Sequence, residues 1–404
     1  MSELKKILES VQIGWLKLGN ITQIKTGRNI SKHYISQNPG IYAVINSGKE
    51  PLGYVNEWNT ENDPIGITSR GAGVGSITWQ DGKYFRGNLN YSVTINNIKF
   101  LDIRYLYNIL IKLQPEIKSL CTYDGIPALN AGNLVNLKIP IPYPDNPEKS
   151  LKIQEEIVRI LDSLSEETNQ VTAALQKELV LHQKQYNFYR EELFAKKYKL
   201  SRLGDPEVGK FIRGGGLQKK DFTSSGVGCI HYGQVYTHYG IFAYETKSFV
   251  SEHFAVKARK AKTGDLVIAT TSENDDDVCK AVAWLGNDDI AVSSDACFFR
   301  HNLDPKYVSY YFQTEQFQKQ KRKYITGIKV RRVNADDLAK ISIPVPSSEE
   351  QEIIIKILDD LNEKTQAITE AIQKEIALRS KQYEYYRDRL LSFHSLQNEV
   401  EALQ

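Results

Sequence analysis

Two long stretches of the chain carry apolar or semi-apolar positions at alternating steps of three and four, the spacing that lines them up on one stripe of a helix. In the first they fall at Ile157, Leu161, Leu164, Thr168, Val171, Leu175, Leu179, His182, Tyr186, Tyr189 and Leu193. In the second they fall at Ile354, Leu358, Leu361, Thr365, Ile368, Ile372, Ile376, Arg379, Tyr383, Tyr386 and Leu390. Each row has two consecutive steps of four at the same place, around Leu175 and Ile372, which makes it a heptad seam with one stutter. Matching stutters predict mutual packing, with Ile157, Leu161, Leu164, Val171, Leu175 and Leu179 set against Ile354, Leu358, Leu361, Ile368, Ile372 and Ile376. Each helix should run about 45 residues, or about 68 Å, which is too long for a globular helix without a partner along its length.

The two stretches are copies. Gln154–Phe194 aligns without gaps on Gln351–Leu391 at an offset of 197 residues, with about half of the positions identical. Each follows a proline-punctuated extended segment, Leu137–Pro142 or Ile341–Pro346, where proline forbids helix, so the helices begin just after it. Ser348-Glu349-Glu350-Gln351 has the form of a capping box, while the first copy carries extra residues between Tyr143 and Lys149.

The intervening segments also resemble each other weakly. Leu18-Gly19-Asn20 matches Leu203-Gly204-Asp205, Lys25-Thr26-Gly27-Arg28 matches Phe211-Ile212-Arg213-Gly214, and Gly125-Ile126 matches Gly327-Ile328. Alternating runs at 75–79 and 281–285 predict strands, and 104–113 and 305–324 predict helices. The fold class expected is α+β: two α+β domains separated by two long antiparallel coiled-coil helices, with approximate two-fold symmetry. The divisions are a first domain over 1–146, a first helix over 147–197, a second domain over 198–346 and a second helix over 347–404. The helices must be antiparallel, because the second leaves the second domain and pairs with the first only by running back. That path is expected to bring the C-terminal tail to the N-terminal segment beginning at Leu4.

Composition narrows the class. The 404 residues are 41% hydrophobic and 25% charged, with no apolar run long enough to span a bilayer. The start, Met1-Ser2-Glu3-Leu4-Lys5-Lys6, lacks the apolar core of a signal peptide, so a cytoplasmic location without a membrane partner is expected. Cys121, Cys229, Cys279 and Cys297 match no metal-ligand spacing and no disulfide framework, and read as small core hydrophobes.

The net charge of +3 proves nothing about a polyanionic partner, but the distribution of charge is informative. Two diverged modules held at a fixed separation suit a ligand with two half-sites. The common case is duplex DNA, whose half-sites recur about every 34 to 36 Å. Between Gln316 and Ala335 lie Lys319, Lys321, Arg322, Lys323, Lys329, Arg331 and Arg332, with no acidic residue before Asp336. Lys219 with Lys220, and Lys257, Arg259, Lys260 and Lys262, form further clusters in the second domain. In the first domain the candidates are Lys25, Arg28, Lys32, Arg70, Lys83 and Arg86. Such residues would neutralise phosphates, and polar side chains reaching base edges would give sequence choice.

Catalytic chemistry is missing from the sequence. There is no Asn/Asp-Pro-Pro-Tyr/Phe element to grip a flipped adenine, no G-x-x-x-x-G-K-S/T phosphate loop and no paired metal-binding histidines. Gly71-Ala72-Gly73-Val74-Gly75 precedes a strand and reads as a tight turn, and Glu273–Asp277 reads as a solvated acidic turn.

Taken together, the chain resembles the DNA-specificity subunit of type I restriction-modification systems. The resemblance rests on two domains that each open near a Leu-Gly-Asn or Leu-Gly-Asp turn and end in an Ile-Pro-x-Pro segment, followed by a helix. The second copy fits best, with Ile343-Pro344-Val345-Pro346, Gln351, Ile354, Leu358 and Lys381-Gln382-Tyr383-Glu384-Tyr385-Tyr386-Arg387. It implies a non-catalytic reader of an asymmetric bipartite sequence in double-stranded DNA, whose helices fix the unread spacer. Its partners would be two methyltransferase subunits and, in a cleaving complex, restriction subunits. S-adenosylmethionine and ATP would be held by those partners, with no cofactor or metal on this chain. The competing readings are a coiled-coil protein that binds other proteins at its end domains, and a DNA-modifying enzyme with divergent motifs.

Overall fold

The computed structural model describes residues 11–48 and 50–393. The expected meeting of the C-terminal tail with the segment beginning at Leu4 falls outside the described residues. Contacts divide the chain into two units, Met1–Ala174 with Glu375–Gln404, and Leu175–Lys374.

The first unit is built on two four-stranded sheets. One is antiparallel, in the order Thr22–Thr26, Asn90–Ile95, Ile65–Thr68, Ile77–Trp79. The other runs Tyr54–Val55, Pro39–Ile45, Lys83–Arg86, Thr60–Glu61, with one parallel pairing between its middle strands. The second unit has two five-stranded mixed sheets. Their orders are Gly209–Arg213, Ala296–His301, Leu266–Ala269, Ala281–Trp284, Phe242–Ala243, and Phe222–Thr223, Ser248–Val250, Val227–Ile230, Ile290–Val292, Lys260–Ala261. Helices pack against the sheets, so both units are α+β. Among the described residues no helix is long and apolar enough to cross a membrane.

The two long helices span Pro147–Phe194 and Ser348–Leu390. A short antiparallel ribbon leads into each. Ile13–Lys17 pairs with Lys138–Pro142, and Leu200–Arg202 pairs with Ser342–Pro344, so the prolines sit in two-stranded ribbons where a missing N–H costs little. Asn146 caps the first helix, its side chain accepting from the Lys149 N–H at 3.1 Å, and Pro147 takes the first helical position, where its lack of a donor is harmless. The second helix starts one residue earlier than the Ser348 box predicts. Ser347 is the cap, its hydroxyl accepting from the Glu350 N–H at 3.3 Å while the Glu350 carboxylate accepts from the Ser347 N–H at 3.0 Å.

That shift frees Gln351 for another task. Gln351 is buried, and its amide oxygen accepts from the Asp304 N–H at 2.9 Å while its amide nitrogen donates to the Pro346 carbonyl at 3.1 Å. Gln154 does the same in the first unit, accepting from the Asp102 N–H at 2.9 Å and donating to the Phe100 carbonyl at 3.1 Å. Asp102 and Asp304 cap equivalent helices, Ile103–Lys112 and Pro305–Tyr311. Tyr105 and Tyr307, three residues on, are buried and donate their hydroxyls to the Pro140 and Pro344 carbonyls, both at 2.9 Å. The predicted helix over 305–324 is interrupted, because Thr314 caps a new helix, Glu315–Lys321, after a break at 312–314.

Each unit also holds a piece of both long helices. In the first unit Ile157 and Leu161 share a core with Leu390, Leu391 and Phe393. Asp162 receives Arg104 at 2.5 Å, and it adds to the rise that burial imposes on the Tyr383 phenol. In the second unit Phe194 shares a core with Ile354, Ile355 and Leu358. There Asp359 receives Lys306 and the Tyr310 hydroxyl, each at 2.7 Å, and adds to the rise that burial imposes on Tyr186. As one helix advances the other recedes, so within each unit the two segments run antiparallel. The aspartate of each repeat lies near the tyrosine of the other.

All twelve predicted packing residues, from Ile157 to Leu179 and from Ile354 to Ile376, are buried or half-buried. The exception along the seam is Tyr189, which is exposed. The buried stripe there passes through Tyr186, Arg190 and Phe194 in steps of four.

Replacing Gln351 by leucine keeps the volume but strands the Asp304 N–H and the Pro346 carbonyl, and should cost about 2 to 4 kcal/mol. Urea unfolding of the full chain should show a lowered midpoint, and Gln154→Leu should behave alike. A midpoint unmoved in both variants would show that these amides do not anchor the helices.

Candidate nucleic-acid interface

Of the first-unit candidates, one cleft brings together Lys25, Arg28 and Arg86. Lys25 and Arg28 are exposed on the strand Thr22–Thr26 and the turn after it, and with Asn59, Glu61, Asp63, Arg86, Ser92 and Thr94 they line a cleft of about 390 Å³. Gly27 lets this turn approach the neighbouring strand. A Cβ there would stand 2.3 Å from the Arg86 and Gly87 carbonyl oxygens, and one on Gly214 would stand 2.0 Å from the Ser293 oxygen. The Gly27 and Gly214 N–H groups donate to the equivalent Asn90 and Ala296 carbonyls. The structural match is therefore Gly27 with Gly214, one position away from the sequence match of Gly27 with Arg213. Lys83 is exposed, 3.7 Å from Glu61 and over the Trp58 ring at 4.5 Å. Arg70 is exposed and bridges Ala128 through the backbone. Lys32 is exposed at the start of the helix Lys32–Gln37.

Arg86 does not belong with them. It is 3% exposed, and its guanidinium donates to the Ile65, Tyr91 and Asp63 carbonyls, the Asn90 side chain and the Tyr84 hydroxyl. It ties Lys83–Arg86 to the other sheet through these internal acceptors, a structural role. Strand alternation carries the signal for this, since Tyr84 and Arg86 share one face.

In the second unit, Lys219 and Lys220 occupy the 3-10 turn Lys219–Asp221, and Lys257 ends the helix Glu252–Lys257. Leu217, Phe222, Phe254, Ala255 and Ala258 share one small core, so these two basic clusters border the same apolar patch. Arg259 is exposed and donates to the Arg213 carbonyl at 3.1 Å, Lys260 is half-buried in an edge strand, and Lys262 is exposed.

The basic run from 316 to 335 divides. Lys319, Arg322, Lys323, Lys329 and Arg332 are exposed and Arg331 half-exposed. Arg322 pairs with Glu315 at 2.9 Å and Arg331 with Asp275 at 2.7 Å. Lys321 is 0% exposed, and its ammonium donates to the Val278 carbonyl at 2.9 Å and the Asp276 carbonyl at 3.2 Å. Burial draws its pKa below the usual lysine value, with the Cys279 thiol and the Asp276 and Asp275 carboxylates opposing the shift. Lys321 is thus a structural cation. Its spacing of four from buried Phe317 is the sequence signal for that.

Lys321 also organises the acidic turn. Asn274 exchanges bonds with Asp277, and Lys280 pairs with Asp277 at 2.7 Å. The carboxylates of Asp275 and Asp277 are therefore taken up by Arg331 and Lys280. The glycine-rich segment is a tight turn, in which Val74 N–H donates to the Gly71 carbonyl and Ser76 N–H to the Gly73 carbonyl, both at 3.0 Å. Cys229, Cys279 and Cys297 are buried and Cys121 half-buried, with burial pushing the Cys279 thiol up to about 12.

Residues 13–181 and 196–378 match the family model described as the type I restriction modification DNA specificity domain. The chain is similar to the specificity subunit of the type I restriction enzyme EcoR124I/EcoR124II of Escherichia coli, at 31% identity over 97% of each chain. It is also similar to the specificity subunit of the type I restriction enzyme MjaVIII of Methanocaldococcus jannaschii, at 25% identity over 68% of each. Its fold matches a chain solved in work on complex assembly and conformational transition of the type I R-M system. That match has a TM-score of 0.68 at 15% identity and covers 94% of this chain and 97% of that one.

Lys321→Met should leave the Asp276 and Val278 carbonyls without a donor, lowering stability by about 1 to 3 kcal/mol and speeding amide hydrogen exchange over 273–279. Lys319→Met, on the exposed side of the same helix, should stay within about 0.5 kcal/mol of the parent. Equal effects from the two would remove the structural role assigned to Lys321.

Proposed function

Because the chain belongs to the family of type I restriction-modification DNA specificity domains, we propose that its two units each read a short segment of one bipartite sequence in duplex DNA. The observation that carries this is a repeated frame under unlike surfaces. The helix roots repeat two bonds, Asp102 to Gln154 and Asp304 to Gln351 at 2.9 Å, and Tyr105 to Pro140 and Tyr307 to Pro344 at 2.9 Å, whereas the exposed cations differ in number and place. A shared frame presenting different surfaces suits two different half-sites, and hence an asymmetric target. Exposed Lys25, Arg28, Arg70, Lys83, Lys219, Lys220, Lys257, Arg259, Lys319, Lys323, Lys329 and Arg332, with Lys260, Arg322 and Arg331 less free, would neutralise phosphates.

The chain supplies specificity, and catalysis belongs to partner subunits. On this reading two methyltransferase subunits bring S-adenosylmethionine, restriction subunits bring ATP-dependent cleavage where present, and the assembly works in the cytoplasm. The roots of the long helices give such partners a framework held in register by buried side-chain bonds.

The test is binding of a random bipartite duplex library by the full chain assembled with its methyltransferase subunits. Selective binding should fall steeply with salt, and exchanging residues 200–346 for those of a relative should change one half-site only. Lys329→Glu with Arg332→Glu should weaken binding about tenfold or more across all sequences and flatten the salt slope. Salt-insensitive binding, or no selection at all, would refute the reading and favour a scaffold for proteins alone.

A further inference from the structure

One motif shared by the two units has no role in the frame. In the first unit Cys121–Thr122 pairs antiparallel with Ala128–Leu129, and the tip between them leaves Ile126 68% exposed. In the second unit Thr326 and Arg332 exchange both backbone bonds at 2.9 Å, and the tip leaves Ile328 93% exposed. In each, the residue before the isoleucine is a glycine in the left-handed region, Gly125 at φ 91° and Gly327 at φ 89°, a conformation that costs other residues dearly.

The hairpins sit at equivalent places. Each is tied back beside the strand that precedes it, the first by Leu129 N–H to Ser69 and Gly71 N–H to Pro127, both at 2.8 Å, the second by Val333 N–H to Thr270 at 3.1 Å and the pairing of Arg331–Arg332 with Thr271–Ser272. Each runs on into a short helix, Ala131–Leu134 or Ala335–Leu338. Each is also flanked by cations, Arg70 across the bridge to Ala128 in the first unit and Lys329, Arg331 and Arg332 in the second. A single exposed apolar residue is ordinary. The same one, each time just after a left-handed glycine, in two units whose surfaces have otherwise diverged, calls for a common ligand.

We propose that Ile126 and Ile328 are wedges that enter between adjacent base pairs, one in each half-site. The proposal rests on the DNA reading above and deepens it. A β-branched side chain is stiff at χ1, so it loses little freedom on insertion. The flanking cations hold the backbone on either side of the opened step, and apolar wedges of this kind unstack and kink duplexes. Part of the sequence choice then comes from how readily one step opens, which favours pyrimidine–purine steps.

The test uses the full chain assembled with its methyltransferase subunits and target duplexes carrying 2-aminopurine at single adenines. Fluorescence should rise at one step in each half-site. Ile328→Ala should abolish the rise in the half-site read by the second unit only and weaken binding about tenfold, Ile328→Leu should retain it, and Ile126→Ala should act on the other half-site. Selective binding with no rise at any step, or a rise that survives both alanine variants, would overturn the wedge while leaving the DNA reading intact. Loss of methyltransferase assembly in the alanine variants, with fluorescence unaltered, would also overturn it and assign the tips to a protein partner. A wild-type complex that fails to bind DNA would overturn the DNA reading and the wedge with it.

Discussion

A buried glutamine at the root of each long helix is the constraint on which the two units depend. Gln154 and Gln351 each accept from the N–H of the aspartate that caps a second helix; Gln154 also donates to the Phe100 carbonyl just before that cap, whereas Gln351 donates to the Pro346 carbonyl at its own helix start. Removing a buried amide costs more than its hydrogen bonds gain, because the groups left behind cannot reach water. Each helix start is therefore tied to the neighbouring capped helix by polar bonds as well as by the apolar core around Ile157 and Leu161 or Ile354 and Leu358. Tyr105 and Tyr307 reinforce the joint from the other side, bonding the last turn of ribbon before each helix.

The same frame lets the surfaces diverge. Strands that differ in number and pairing hang from the two equivalent roots, and the cations they display serve two purposes. Some face solvent, as Lys25 and Lys329 do, and some hold the fold, as Arg86 and Lys321 do. A cation used for structure binds carbonyl oxygens at several points and loses its water, whereas one available to a phosphate keeps its water until the ligand arrives.

Much of this was legible in the chain, for identifiable reasons. The helices announce themselves because their periodicity runs for more than ten turns and repeats at a fixed offset, so chance spacing averages out. The family resemblance drew on the residues that root them. The sheets were not legible in order or pairing, since strands of two to seven residues carry too few alternations, and their neighbours in space are not their neighbours in sequence. The weak alignment of Gly27 was off by one because only the spatial approach of a carbonyl shows which glycine is required. Charge is legible in the sequence only as local clusters, and a cluster in sequence does not tell which member turns inward. Lys321 and Arg86 needed the helical and strand periods applied to their own short elements. Tyr189 left the seam because the buried stripe continues by steps of four through Arg190 to Phe194.

The first unit takes its last helical turns from far along the chain, and this sets an order on biosynthesis. Lys112 bonds the Leu391 carbonyl and the Ser392 hydroxyl, both at 2.8 Å, and Leu390, Leu391 and Phe393 complete its core. The second unit, Leu175–Lys374, is contiguous. On a ribosome that emits residues from the N-terminus, the unit begun first is the one finished last, because its closing pieces emerge after the whole of the other. Until then its early residues wait with an open apolar seam, which makes the nascent first half the species most in need of chaperone shelter.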